Sequence, residues 1–143
     1  MFRFGTIVVA AMLAMVEAPA HGHESSEPPP PKTEKPAVPI KFFQTKRGTV
    51  LADSRGMTLY YFDSDDSGNK SNCDDTCTEK WIPLAASDDA KPLGDFTVII
   101  RNDHSKMWAY RYRPLYTSRE DEAPGDTNGF DPANLWHIAR PAN

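Results

Sequence analysis

From Ile40 onward the chain runs in short apolar and aromatic bursts of three to six residues, separated by polar, glycine-bearing breaks. Ile40 to Thr45 and Thr49 to Ala52 are β-prone runs divided by Lys46-Arg47-Gly48, and Ser54-Arg55-Gly56 turns the chain into Met57 to Phe62. That pattern predicts an antiparallel meander. Phe96 to Arg101 and Lys106 to Tyr112 flank Asn102-Asp103-His104-Ser105, a hairpin pattern in which Phe96, Val98 and Ile100 share one face and Trp108, Tyr110 and Tyr112 share another. The expectation is that this two-strand patch builds much of the core. Leu135 to Ile138 supplies a closing strand, and Asp74 to Trp81 predicts one short helix capped by Asp74. The fold class is therefore all-β, mainly antiparallel, with that helix as its exception.

Spacing adds a duplication. Leu59-Tyr60 leads to Trp81 and Leu115-Tyr116 leads to Trp136 over nearly equal separations, so two related small units, about 50–86 and 96–141, pack together. The ordered motifs Leu59-Tyr60-Tyr61-Phe62 with Asp63 and Asp65, Cys73 to Cys77, Trp81-Ile82-Pro83-Leu84, Pro114-Leu115-Tyr116 and Pro124-Gly125-Asp126-Thr127-Asn128-Gly129 resemble the secreted repeat of bacterial lipoproteins and exported proteins. The resemblance covers about Val50 to Pro141. It implies an exported module and names no activity.

The amino-terminal third reads differently. Arg3, the apolar run Thr6 to Val16 and Ala18-Pro19-Ala20 have the layout of a signal peptide over 1–20, with His21 as the expected mature start. Pro19 directly after Ala18 disfavours the earlier cut, and no cysteine stands there to take a lipid. Residues 21–39, with four consecutive prolines at Pro28 to Pro31, have too few large apolar side chains to order themselves and read as a tether to a 40–143 domain. The expected location is periplasmic or secreted, with no membrane span after cleavage.

Charge excludes one class of partner. Loss of Arg3 and Glu17 leaves 15 basic and 19 acidic residues, a net charge of −4 that does not favour nucleic acid. In an oxidising compartment Cys73 and Cys77 are expected to form a disulfide. A redox role is the sharper alternative, but three residues separate the thiols and Asp74 and Asp75 would raise their pKa. Reduced, the pair could bind Cu(I) with His104 or His137.

Two further candidates involve metal. Asp63, Asp65 and Ser67 alternate, Gly68 follows and Asp74 closes the run, which is the spacing of a calcium loop. Lys70 stands where an apolar residue is usual, so a solvated acidic turn accounts for the same residues, as it does for Asp121, Glu122 and Asp126. At the expected mature terminus, His21-Gly22-His23 offers an amine, two amides and an imidazole in the arrangement that square-planar Cu(II) prefers. No serine elbow, zinc-binding histidine pair, phosphate loop or dinucleotide fingerprint is present in the sequence. The function expected is a non-catalytic envelope module that binds a partner protein or a metal ion. Leu59, Tyr60, Phe62, Trp81, Pro83, Leu115, Tyr116 and Trp136 are expected to build its core.

Overall fold

A computed structural model describes residues 38–65, 70–130, 132, 133 and 135–143, with the isolated positions 5 and 22. His21, His23, Ser67 and Gly68 lie outside the described residues, as do almost all of the expected signal peptide and tether. The described residues form nine short strands and one helical turn.

Strands β1 (Ile40–Thr45) and β2 (Gly48–Asp53) make a hairpin, and β5 (Phe96–Ile100), β6 (Lys106–Tyr110) and β7 (Arg113–Pro114) make a three-stranded antiparallel sheet. The central sheet has the order β4-β8-β3-β9, from β3 (Tyr60–Phe62), β4 (Trp81–Pro83), β8 (Tyr116–Ser118) and β9 (Trp136–Ile138). At its centre the two Leu-Tyr strands meet with Tyr60 opposite Tyr116. Each is flanked by the tryptophan strand of the other unit: β9 lies on β3 and β4 lies on β8. The two units therefore interleave, and each supplies an edge strand to its partner.

Backbone hydrogen bonds repeat this symmetry. Leu51 N–H donates to Ala139 O, Ala139 N–H to Leu59 O, and Leu59 N–H to Leu51 O, closing a three-membered ring. Trp108, Leu84 and Leu115 close the same ring in the other half. Thr58 bridges Ala52 where Pro114 pairs with Ala109. Such rings satisfy the main chain where three strands converge without a continuous ladder.

Alternation along β3 and β8 divides the core in two. Leu59 and Leu115 turn to a cluster with Leu51 and Ala139. Tyr60 and Tyr116 turn to the larger cluster, which holds Trp81, Trp136, Ile99 and Met107. There the Trp81 and Trp136 rings stack at 3.9 Å, Phe62 stacks on Trp136 at 4.4 Å, and each tyrosine presents an edge to the tryptophan of its own unit. The eight expected core anchors are buried or half-buried in this arrangement, so the all-β class and the duplication both hold.

Three local expectations are corrected. The meander is cut short after β2: residues 57–59 fold back on it through the Ala52–Thr58 bridge and the Asp53–Met57 and Leu59–Leu51 hydrogen bonds, but β3 itself pairs with β8 and β9. Helix α1 is a single turn, Cys77–Lys80, and Asp74 does not cap it, since its carboxylate is held by Arg101 and Asn102 instead. In the β5–β6 hairpin, Ile100 is 65% exposed whereas Ile99, opposite Met107, is buried. Tyr112 is not a strand residue: it and Arg111 form a two-residue turn with φ of 67° and 48°. This sheet is covered on parts of both faces, so alternation alone does not mark its inner side.

Candidate functional site

The most polar part of the interior is built by the duplication. Tyr60 Oη donates to Asp121 Oδ2 at 2.8 Å, and Tyr116 Oη donates to Asp65 Oδ2 at 2.8 Å. Each hydroxyl is thus bound to the aspartate that follows the other unit's tyrosine by five positions. Asn72 N–H donates to Asp65 and Asn128 N–H donates to Asp121, each at 2.7 Å. The two asparagine side chains then close their loops by donating to Ser64 O and Glu120 O. Tyr60 and Tyr116, Asp65 and Asp121, and Asn72 and Asn128 are all 56 positions apart, so the match extends residue by residue into the loops.

Burial pushes the Asp65 and Asp121 carboxyls above the ordinary carboxylate range, and the tyrosine and backbone donors only partly offset it. Burial also drives both phenols far above their usual value, helped at Tyr60 by the facing Asp121. Tyr60 and Tyr116 are fully buried, so no substrate reaches their hydroxyls. These groups are fixed as donors and hold the two loops to the core.

Where the halves differ is the disulfide loop. Cys73 and Cys77 are bonded with α-carbons 5.2 Å apart, and Cys73 is fully buried at the position that Gly129 holds in the other half. Arg101, at the end of β5, reaches into this loop with a side chain only 4% exposed. It donates to Ser71 Oγ, Cys73 O and Asp74 Oδ1, and lies 3.8 Å from Asp103. Because the Tyr116 proton goes to Asp65, Ser71 donates to Tyr116, giving a chain from guanidinium to carboxyl. The other half is looser: Thr45 stands at the Arg101 position, and Arg47, in the β1–β2 turn, donates to Thr127 and lies over the Phe130 ring but is exposed.

Beside the disulfide loop opens a cleft of about 710 Å³, lined by Asp74, Asp75, Thr78, Asn102, Asp103 and Lys106 with Arg101 at its back. It mixes both charges, and the Ser105 hydroxyl at its rim donates to Asp103 at 2.6 Å within the β5–β6 turn.

The sequence candidates are dispersed. Asp63 binds His137 Nε2 at 2.7 Å, Asp65 faces inward to Tyr116, and Asp74 faces Arg101, so the three do not converge on one point. Asp126 closes its own loop by accepting from the Glu122 and Ala123 amides, while Asp121 is buried against Tyr60. Glu122 and His104 are exposed, the latter in the β5–β6 turn at a φ of 67°. Among the described residues no group of three or more His, Cys, Asp or Glu side chains is placed to hold a metal ion. Among these residues, too, no helix is long and apolar enough to cross a membrane.

Arg101, Ser71 and the role of Asp121 were missed by motif reading. The signal for Asp121 was present, since the Tyr-to-Asp spacing repeats in both halves. Arg101 gave none, because an arginine at a hairpin end ordinarily points to solvent.

A family model described as a secreted repeat of unknown function matches the chain twice, over 41–85 and 97–140. No curated protein and no solved structure matches it. The two matches bracket the two interleaved halves, and the chain belongs to this family of secreted repeats.

Proposed function

We propose that this secreted-repeat protein is a non-catalytic module of the cell envelope, exported to the periplasm, that docks a partner protein through the cleft beside Cys73–Cys77. One observation carries the reading: the polar residues shared by the two halves are buried in mutual contacts, whereas the residues that distinguish the halves surround an open cleft. The buried Arg101 braces that cleft from behind, so Asp75, Asn102 and Lys106 are presented on a fixed frame. A preset surface of mixed charge suits a protein partner, because complementary charges set orientation at little ordering cost.

The test is a crosslinking pull-down from envelope extract with the full chain, beside a variant carrying Asp75→Lys and Lys106→Glu. A specific band that disappears with the charge-reversed cleft is expected. An unchanged band, or none with either protein, counts against docking at this cleft.

A second reading rests on the sequence. If export leaves His21 at the amino terminus, His21-Gly22-His23 forms a Cu(II) site and the module carries copper on a tether. Mass spectrometry of the exported chain decides whether His21 is terminal. Titration with Cu(II) then requires the His23→Ala variant to bind far more weakly, and equal affinity would end the idea.

A further inference from the structure

A second concavity, sharing no lining residue with the disulfide cleft, lies between β3, the β6–β7 turn and the segment after β9. Its volume is about 220 Å³, and its floor is apolar, made of Leu115, Ile138 and Ala139. Tyr61 and Tyr110 form its walls, and Arg111, Arg113 and Arg140 also line it. Among the described residues no carboxylate lines the groove, although the whole chain carries a net charge of −4.

The arginines are held in place by contacts that leave their charge largely uncompensated. Arg113 lies over the Tyr61 ring with Cζ 4.5 Å from the centroid, and that ring also stacks on His137 at 5.2 Å. Arg140 donates to the neutral Thr49 carbonyl. Among the described residues only Arg111 has a carboxylate near it, Asp95 at 3.5 Å, and both are solvent-exposed. Arg111 also sits in the turn whose two non-glycine residues both adopt the left-handed backbone, a conformation that side chains disfavour. Tyr110 Oη accepts from the Ala142 amide, so the tail closes one end of the groove.

The internal repeat shows that the fold does not demand these residues. By the spacing that relates the halves, Arg113 corresponds to Met57, Tyr61 to Thr117 and Arg140 to Ala85. The same strands and the same hydrogen-bond ring are built in the other half without a guanidinium at the positions of Arg113 and Arg140. A scaffold role would apply to both halves. Arg113, Arg140 and Tyr61 thus have no like counterpart in the repeat, whereas Arg111 corresponds to Arg55, and all of them line a single concave spot.

We infer that this groove binds an organic carboxylate with a flat apolar body. Arginine presents a planar fork of donors that matches a carboxylate in two parallel hydrogen bonds, and the tyrosine walls and aliphatic floor accept a ring. The volume is below the roughly 300–1,000 Å³ that encloses a drug-sized ligand, so the occupant has the size of one aromatic acid. Two sources share this chemistry, a free aryl acid and the last residue of a peptide with an aromatic side chain.

The probes are N-acetyl-phenylalanine, 3-phenylpropionate, N-acetyl-phenylalanine amide and inorganic phosphate, each titrated into the full chain and followed by the backbone amide resonances of Tyr61, Ile138 and Ala139. Both carboxylates are expected to shift these resonances saturably, with the amide at least tenfold weaker and phosphate weaker still. Tighter binding of N-acetyl-phenylalanine than of 3-phenylpropionate assigns the groove to peptide termini, and the reverse assigns it to free acids. Arg113→Gln and Arg140→Gln, both at exposed positions, should each weaken binding about tenfold, while Arg113→Lys recovers only part of it. Equal binding of acid and amide, equal binding of phosphate, or affinity unchanged in both arginine variants would overturn the assignment.

Discussion

Tyr60→Phe removes one oxygen from the centre of the molecule and isolates the contribution of the crossed tyrosine–aspartate contacts. The ring stays, with its edge on Trp81, so packing changes little. Two bonds are lost: the donor to Asp121 Oδ2 at 2.8 Å and the acceptor for the Gly129 amide at 3.3 Å. Asp121 is 7% exposed and keeps only the Asn128 and Gly129 side of its environment, so water does not readily replace the phenol. A hydrogen bond to a charged group contributes about 1.5–3 kcal/mol, and the long bond to Gly129 adds at most about 1 kcal/mol. The expected loss is about 2–3 kcal/mol. For a domain of this size that lowers Tm by roughly 10–20 °C. Tyr116→Phe makes the same chemical change in the other half: Asp65 is only half-buried, but Ser71, 1% exposed, loses the acceptor of its proton, so the cost should be comparable, about 2–3 kcal/mol. Urea unfolding at pH 7, followed by the fluorescence of the stacked tryptophans, measures both. A cost below about 0.5 kcal/mol in either variant would refute the claim that these bonds hold the loops to the core.

Because burial raises the Asp65 and Asp121 carboxyls, their protons stabilise the folded state: the contribution is fully present below the unfolded value near pH 3.9 and is lost as pH rises through the folded values. The stability of the native sequence relative to an Asp65→Asn, Asp121→Asn variant should therefore fall from pH 3.5 to pH 7, and a flat or rising difference would count against it. Replacing Cys73 and Cys77 by serine opens a loop of a few residues and should cost about 2 kcal/mol by chain entropy, read from the urea midpoint without a change in the central sheet by circular dichroism. Gly129→Ala would place a methyl 2.8 Å from the Trp81 ring and 3.0 Å from Ser118, so it should destabilise by about 1–3 kcal/mol, with a red-shifted tryptophan emission as the stack opens.

The duplication was legible because burial repeats it: a fully buried Leu-Tyr pair and a later tryptophan must recur wherever the same core is built twice. The hairpins were legible for the same local reason, since Lys46-Arg47-Gly48 and the Asn102 to Ser105 break interrupt runs that can only be strands. Pairing between strands left no such trace. Nothing near Leu59 states that its neighbour in space is Leu115, and a meander is the default for consecutive strands. The exchange of tryptophan strands comes from the need to close two small cores at once, a long-range condition. Asp74 failed as a helix cap for a related reason: its carboxylate had a stronger partner, a buried guanidinium arriving from 27 positions away. Candidate sites followed the same division. Motif reading pointed to the acidic residues of the loops, and the structure shows that several of these, Asp65 and Asp121 first, belong to the interior.

This interleaving bears on where function sits. Because each half lends a strand to the other and each tyrosine is bound by the other half's aspartate, neither half has a complete core alone, and changes in the shared residues are felt in both. Such positions are poorly suited to carry a ligand that must come and go. The copies differ in the core too, where Leu51 stands for Trp108 and Thr58 for Pro114, but three differences bear on the two proposed surfaces: Cys73 stands for Gly129, Arg113 for Met57, Arg140 for Ala85. They collect at the disulfide cleft and at the arginine groove, two surfaces with no lining residue in common. Because the two proposed sites share no lining residue, charge reversal at Asp75 and Lys106 should leave aryl-carboxylate binding intact. Arg113→Gln should in turn leave the crosslinked partner band unchanged. Loss of both activities in either variant would mean that the two surfaces serve one ligand.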